Sequence, residues 1–207
     1  MTFLSDITDD ARLYLRLRLP CAKPSLYQLA NIWFVSPGLW TVAIYRLAHR
    51  YEALRPAGFL STTKKIFLGI AVHFGTYLSN VLVKCDLLPS TRIAAGIFVS
   101  NRGHLVLGAR SIGTGTIIHE RVTIGMGVPG TEVPEIGRNV WIGPDCVVFG
   151  GITIGDGATV LPKTILTKSI PAGSVAQGNP ARIVKREFDN SGLRKSLSTD
   201  CESLFLS

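Results

Sequence analysis

Charge is sparse in this chain: charged side chains make up 17% of its 207 residues, and there are only four histidines. Cysteine is scarce as well. Cys21, Cys85, Cys146 and Cys201 stand far apart with no CxxC pair, so no disulfide framework or metal site is expected, and the pattern suits a reducing cytoplasm. Zinc-finger spacing, an RNP motif and an Arg-rich run are all missing. The basic excess, net +8 with pI near 9.6, therefore does not signal nucleic acid. It fits anionic small molecules or peripheral placement at an anionic inner membrane face. The opening MTFLSDITDD places acids ahead of any apolar run, unlike a secretory signal. The longest apolar stretch, IFLGIAVHFGTYLSNVLV over 66–83, holds His73, two glycines and several polar residues. It reads as a packed helix rather than an apolar span of about 20 residues.

Two periodicities divide what is present. Up to residue 85, apolar positions fall at helical spacing in LYQLANIWF, in LWTVAIYRLAHRYEAL and in the 66–83 stretch, with Pro24, Pro37 and Pro56 as breaks. Two to four helices are expected over 1–85. Eleven Lys/Arg through Arg92, against five acids, concentrate positive charge there. From 86 to 184 the period becomes six: IGTGTI, IHERVT, IGMGVP, a break GTEVPE, then IGRNVW, IGPDCV, VFGGIT, IGDGAT, VLPKTI, LTKSIP. An aliphatic residue opens every unit and the fifth place is small or apolar. Each hexad reads as a short strand plus a turn, three hexads closing one triangular coil. First and fifth residues point inward, and glycines serve the corners. One coil cannot bury its own face, so coils must stack. The fold class is thus mainly β, a parallel β-helix behind an N-terminal α-helical region, with 185–207 as a short polar tail.

These hexads resemble the hexapeptide-repeat acyltransferases, whose coils are left-handed. The run NVWIGPDCVVFGGITIGDGATVLPKTILTKSIPAGSVAQGNPARIV is similar to that family's terminal coils and following turn. PGLWTVAIYRLAHRYEAL followed by Asp86 resembles the end of the helical domain of serine acetyltransferases. The resemblance implies a homotrimer, acetyl-CoA in the groove between neighbouring β-helices, and a histidine there that deprotonates an acceptor hydroxyl. Histidine suits that task because its pKa lies near ambient pH. Backbone N–H groups or a polar side chain must meet the oxyanion, and Lys or Arg the phosphates.

Aligned on IAAGIFVSNRGHLVLG, the family's catalytic histidine falls at Asn101 and its paired carboxylate at Asp86. His104 lies three residues on, and His119 follows one coil later beside Glu120. Either histidine is a candidate base, with Asp86 or Glu120 orienting it. His49 and His73 sit among apolar helical positions and read as packing or capping residues. The aspartate before the catalytic histidine is replaced by Ser100, and the family's Arg-His before Pro-Lys-Ile by Glu132 and Val133. Groups that grip a free amino acid are therefore missing, which points to a saccharide or polysaccharide-precursor hydroxyl, with serine as the alternative acceptor. For the donor, Gly125, Met126, Gly127, Pro144 and Pro162 match positions along the CoA groove, with Lys163, Lys168 and Arg182 placed to meet phosphates. The break GTEVPE reads as an outward loop that helps to wall a neighbouring site. The coils alone leave the acyl group open. The reading from a different class is a non-catalytic β-helix scaffold, motivated by Asn101.

Overall fold

The computed structural model describes residues 3–18, 36–53, 59–82, 84–88, 90–100, 103–128, 130 and 132–196. Among the described residues three helices precede the coils: α1 (Phe3–Arg18), α2 (Pro37–Ala53) and α3 (Phe59–Leu82). Ser36 and Pro37 open α2, with proline at the first helical position, where its missing N–H costs nothing. The segment LYQLANIWF, expected as helix, lies outside the described residues. Helix α1 was not anticipated, although Asp10, Tyr14 and Leu17 repeat at helical spacing and are all buried.

Fifteen short strands follow, from β1 (Cys85–Leu87) to β15 (Arg182–Lys185). They stack into three sheets that form the faces of a triangular prism. Face A is β1-β4-β7-β10-β13, face B β2-β5-β8-β11, and face C β3-β6-β9-β12-β14-β15. Every pairing is parallel except β14 with β15, which closes the stack. The chain visits A, then B, then C in each coil, giving about five turns of a left-handed β-helix. The usual right-handed rule for parallel crossovers rests on a helix packing back on the sheet. Here each connection is a corner of a few residues.

The hexad reading holds at the ladder positions. Ile112, Ile118, Ile124, Ile136, Ile142, Val148, Ile154, Val160 and Leu166 open their units, and all are at most 2% exposed. Fifth-place Thr116, Val122, Val140, Cys146, Ala158 and Thr164 are equally closed off. Glycines do serve the corners at the fourth place, where Gly115 (φ 72°) and Gly157 (φ 67°) are left-handed. Those in second place, Gly113, Gly137, Gly143 and Gly155, do not have positive φ. They permit close approach of the next coil: a Cβ on Gly155 would lie 2.3 Å from the Ala172 nitrogen. The left-handed conformation belongs to the fourth place, as in Arg121, Asn139, Asp145 and Lys163. Gly155→Ala is accordingly expected to lower stability by about 1–3 kcal/mol, read from the urea midpoint, because backbone must give way.

The helices bind the prism through polar anchors as well as apolar contact. Tyr14 enters face C: its hydroxyl donates to the Val99 carbonyl (2.7 Å) and accepts from the Val99 N–H (3.0 Å). Asp10 accepts from the Gly96 N–H (2.8 Å) and pairs with Arg46 of α2 through Arg46 Nε (2.6 Å) and Nη2 (3.0 Å). Around them Tyr14, Leu17 and Leu39 pack on the outward side chains Phe98, Ile117 and Trp141. The strands β3, β6, β9 and β12 of face C are thus buried on both sides.

The expectation of a polar tail from 185 fails as far as residue 196. Residues 182–185 form β15, and 191–196 form helix α4 (Ser191–Ser196), which contacts α1. Asn190 fastens this segment, its Nδ2 donating to the carbonyls of Asn139 (2.9 Å) and Gly157 (3.1 Å). Residues 197–207 lie outside the described residues. The 66–83 stretch packs as expected on one side only. Val72 and Ser79 are buried while Phe67, Phe74 and Tyr77 are exposed. Among the described residues no helix is long and apolar enough to cross a membrane.

Candidate active site

The corner where face C turns into face A repeats in every coil, and its αL residues are Lys84, Gly103, Arg121, Asp145 and Lys163. A non-glycine residue held there costs about 1–2 kcal/mol, and the corner compensates with polar contacts. Arg121 clasps Asp145 of the next coil through Nε (2.5 Å) and Nη2 (2.8 Å). The Arg121 guanidinium holds the Asp145 carboxyl below the usual carboxylate range. Backbone bonds tie the column together, the Asp145 N–H to the Glu120 carbonyl (3.1 Å) and the Lys163 N–H to the Pro144 carbonyl (3.0 Å).

On this column the structure gathers Ser100, His119 and Glu120. The Glu120 carboxylate accepts from the Ser100 hydroxyl (3.3 Å), and its Oε2 stands 3.8 Å from His119 Nδ1. The imidazole is 13% exposed and rests against the Trp141 ring, centroids 4.8 Å apart. Its Nε2 is withdrawn from solvent, and Nδ1 lies on the side of the carboxylate. The group has the parts of a general base with an orienting anion.

The other candidates fall elsewhere. His104 lies exposed at the start of β4 (Leu105–Leu107), on the same corner but with no hydrogen bond to a described residue. Asn101 lies outside the described residues. Asp86 does not join either histidine. It sits on β1 and lines a cavity of about 230 Å3 between α2, α3 and the first coil, with Thr41, Tyr45, His49 and Ser79. Glu120, not Asp86, is the carboxylate within 4 Å of a candidate histidine among the described residues. His49 stacks edge-on with Tyr45, and His73 Nδ1 lies 2.9 Å from its own helix's Gly69 carbonyl. Both side chains are exposed on their helices.

The donor candidates divide between two corners. Pro144, Pro162 and Lys163 share the corner of His119. Gly125, Met126, Gly127 and Lys168 stand at the A-to-B corner, a three-residue strand or about 10 Å away. Arg182 opens β15 at the end of the stack. One chain does not bring them together. The loop after Gly127 carries Glu132, whose carboxylate pairs with Arg110 (3.3 Å). Cys146 is no nucleophile: burial among the ladder residues pushes its thiol up to about 11, and that of Cys85 up to about 12. No three His, Cys, Asp or Glu among the described residues are grouped to hold a metal ion.

Trp141 and the Ser100–Glu120 contact were not read from the sequence as site features. Trp141 holds the sixth place of its hexad, which points outward, so a tryptophan there signals a covered face. What covers it is α1, far away in the chain.

Comparisons with known proteins agree with this architecture. The model of the bacterial transferase hexapeptide (six repeats) matches residues 134–168, and that of the hexapeptide repeat of succinyl-transferase matches residues 106–129. Serine acetyltransferase 2 of Arabidopsis thaliana is 32% identical over 66% of this chain and 42% of its own length. Chloramphenicol acetyltransferase of Agrobacterium fabrum is 36% identical over 28% of each chain. The crystal structure of serine acetyltransferase in complex with coenzyme A from Brucella abortus superposes with a TM-score of 0.70 at 20% identity, covering 88% of this chain and 68% of that one. The chain thus spans less than half the length of the Arabidopsis relative. With its hexads, its triangular coils and these relatives, the chain is a hexapeptide-repeat protein similar to the serine acetyltransferases.

Proposed function

We propose that the chain is an acetyl-CoA-dependent O-acetyltransferase in which His119 takes the proton of the acceptor hydroxyl. The observation that carries this reading is the His119–Glu120 pair at an open corner, in the column that also holds Pro144 and Lys163. A hydroxyl is too weak an acid to attack a thioester at neutral pH unless a placed base removes its proton. As the acceptor oxygen bonds to the acetyl carbonyl carbon, its proton moves to the His119 imidazole. The tetrahedral adduct then expels the CoA sulfur, which regains the proton from the imidazolium. Glu120 favours the charged imidazole through both steps. At about 4 Å and an effective dielectric near 20, such a pair interacts by up to about 4 kcal/mol, much less where water reaches it. Glu120→Gln is therefore expected to lower kcat roughly tenfold and leave KM for acetyl-CoA unchanged.

The division of donor residues between two corners supports a site shared by neighbouring chains. In a homotrimer, the His119 corner of one protomer and the Gly125–Gly127 corner of the next flank one groove. Lys163, Lys168 and Arg182 then stand where CoA phosphates need cations.

For the acceptor, the names of the relatives favour serine over the saccharide suggested by the sequence. We take serine as the leading acceptor. The saccharide reading keeps one specific support: Ser100 in the described corner, with Glu132 and Val133 in the loop, instead of groups that grip an amino acid. Thioester consumption measured with serine and with a panel of sugar acceptors decides between them. Turnover with serine establishes the first reading, and turnover with sugars alone the second. Consumption with neither, and no binding of acetyl-CoA by calorimetry, would leave a scaffold.

A further inference from the structure

Helix α3 packs on one side and is bare on the other. Gly69 and Gly75 meet the α2 side chains Tyr51 and Ile44, and Val72 and Ser79 are buried. Ile66, Ile70, Phe74, Tyr77 and Val81 recur at spacings of four, four, three and four, with Phe67 beside them, and each is more than half exposed. Six of the eleven exposed large hydrophobic side chains among the described residues lie on this one helix. The stripe runs about 22 Å along the axis. Apolar side chains scattered singly need no explanation, but a continuous stripe of this length does.

The surrounding charge selects the occupant. Helix α3 contains no Asp or Glu. Lys65 lies near its start, its Nζ 5.4 Å above the Tyr51 ring, and Lys84 is exposed just beyond its end. Arg50 adds a third cation, exposed at the end of α2, while Lys65 is half-buried. A second copy laid stripe on stripe would set lysine against lysine with no carboxylate on the helix to answer it. An anionic lipid surface answers the cations and accepts the apolar side chains together. We propose that α3 is a membrane-surface anchor, lying in the plane of an anionic bilayer with Phe67, Phe74 and Tyr77 among the upper acyl chains. The anchor is independent of the acyl-transfer reading, since it uses no residue of the His119 corner.

The test is co-sedimentation of the full chain with vesicles of phosphatidylcholine alone and of phosphatidylcholine mixed with phosphatidylglycerol. Binding to the mixed vesicles is expected to be at least tenfold tighter and to weaken as salt is raised. Phe67→Asp with Phe74→Asp should abolish it while leaving the circular dichroism spectrum and the oligomeric state unchanged. Lys65→Gln with Lys84→Asn should weaken it roughly tenfold, asparagine being chosen because Lys84 has φ 53°. No binding to either vesicle, or binding that survives the double aspartate substitution, would overturn the proposal. So would a larger wild-type oligomer that the aspartates break apart, which would assign the stripe to a second copy.

Discussion

His119→Ala is expected to lower kcat by about 10²- to 10⁴-fold, the usual contribution of a placed general base. KM for acetyl-CoA should change little, because the imidazole meets the acceptor rather than the donor's nucleotide. His104→Ala is expected to stay within about threefold of the parent, the small effect usual for an exposed side chain with no placed partner among the described residues. The difference between the two follows from surroundings, not from sequence position. Both histidines lie on the corner from face C to face A. Only His119 has a carboxylate within 4 Å and an aromatic ring holding its plane. Steady-state kinetics with the acceptor that supports turnover checks both variants. A large loss at His104 with none at His119 would move the base to the lower coil.

The second large effect is on stability. Asp10→Ala is expected to cost about 3–5 kcal/mol, because it strands a buried guanidinium. Arg46 is 8% exposed, and without Asp10 it keeps only the Ala94 carbonyl (3.0 Å) and Asp6 at 4.0 Å. The N–H groups of Gly96 and Ile97 lose their acceptor in the same step. Replacing both partners, as in Asp10→Leu with Arg46→Met, removes the stranded charge and should recover much of the loss. Urea unfolding of the two variants measures the difference. Equal losses would mean that the helices hold the prism through packing alone.

Most of the prism was legible in the sequence, because a six-residue period has one simple solution. The aliphatic first residues and small fifth residues need no knowledge of distant segments to find their place. What failed was whatever depended on contact between coils or with the helices. The glycines were read only as corner residues, whereas at Gly155 the distance to the next coil is what excludes a Cβ. Residues 185–196 looked like a tail because they are polar and carry no period. They are held by Asn190, a single amide that reaches carbonyls of two coils. At the site, His119 and Glu120 were visible as neighbours in the chain. Trp141 entered only once α1 was seen to cover face C. Asp86 matched a family position in alignment, yet it lines the cavity between the helices and the first coil.

The central claim is that acyl transfer takes place at the His119 corner. A crystal structure of the chain with coenzyme A bound tests it most directly. The account expects the CoA sulfur within about 4 Å of the His119 imidazole, a distance close to hydrogen-bond reach, with the pantetheine arm passing Pro144 and the phosphates near Lys163 or Lys168. A sulfur seated at His104, or in the Asp86 cavity and remote from His119, would contradict it.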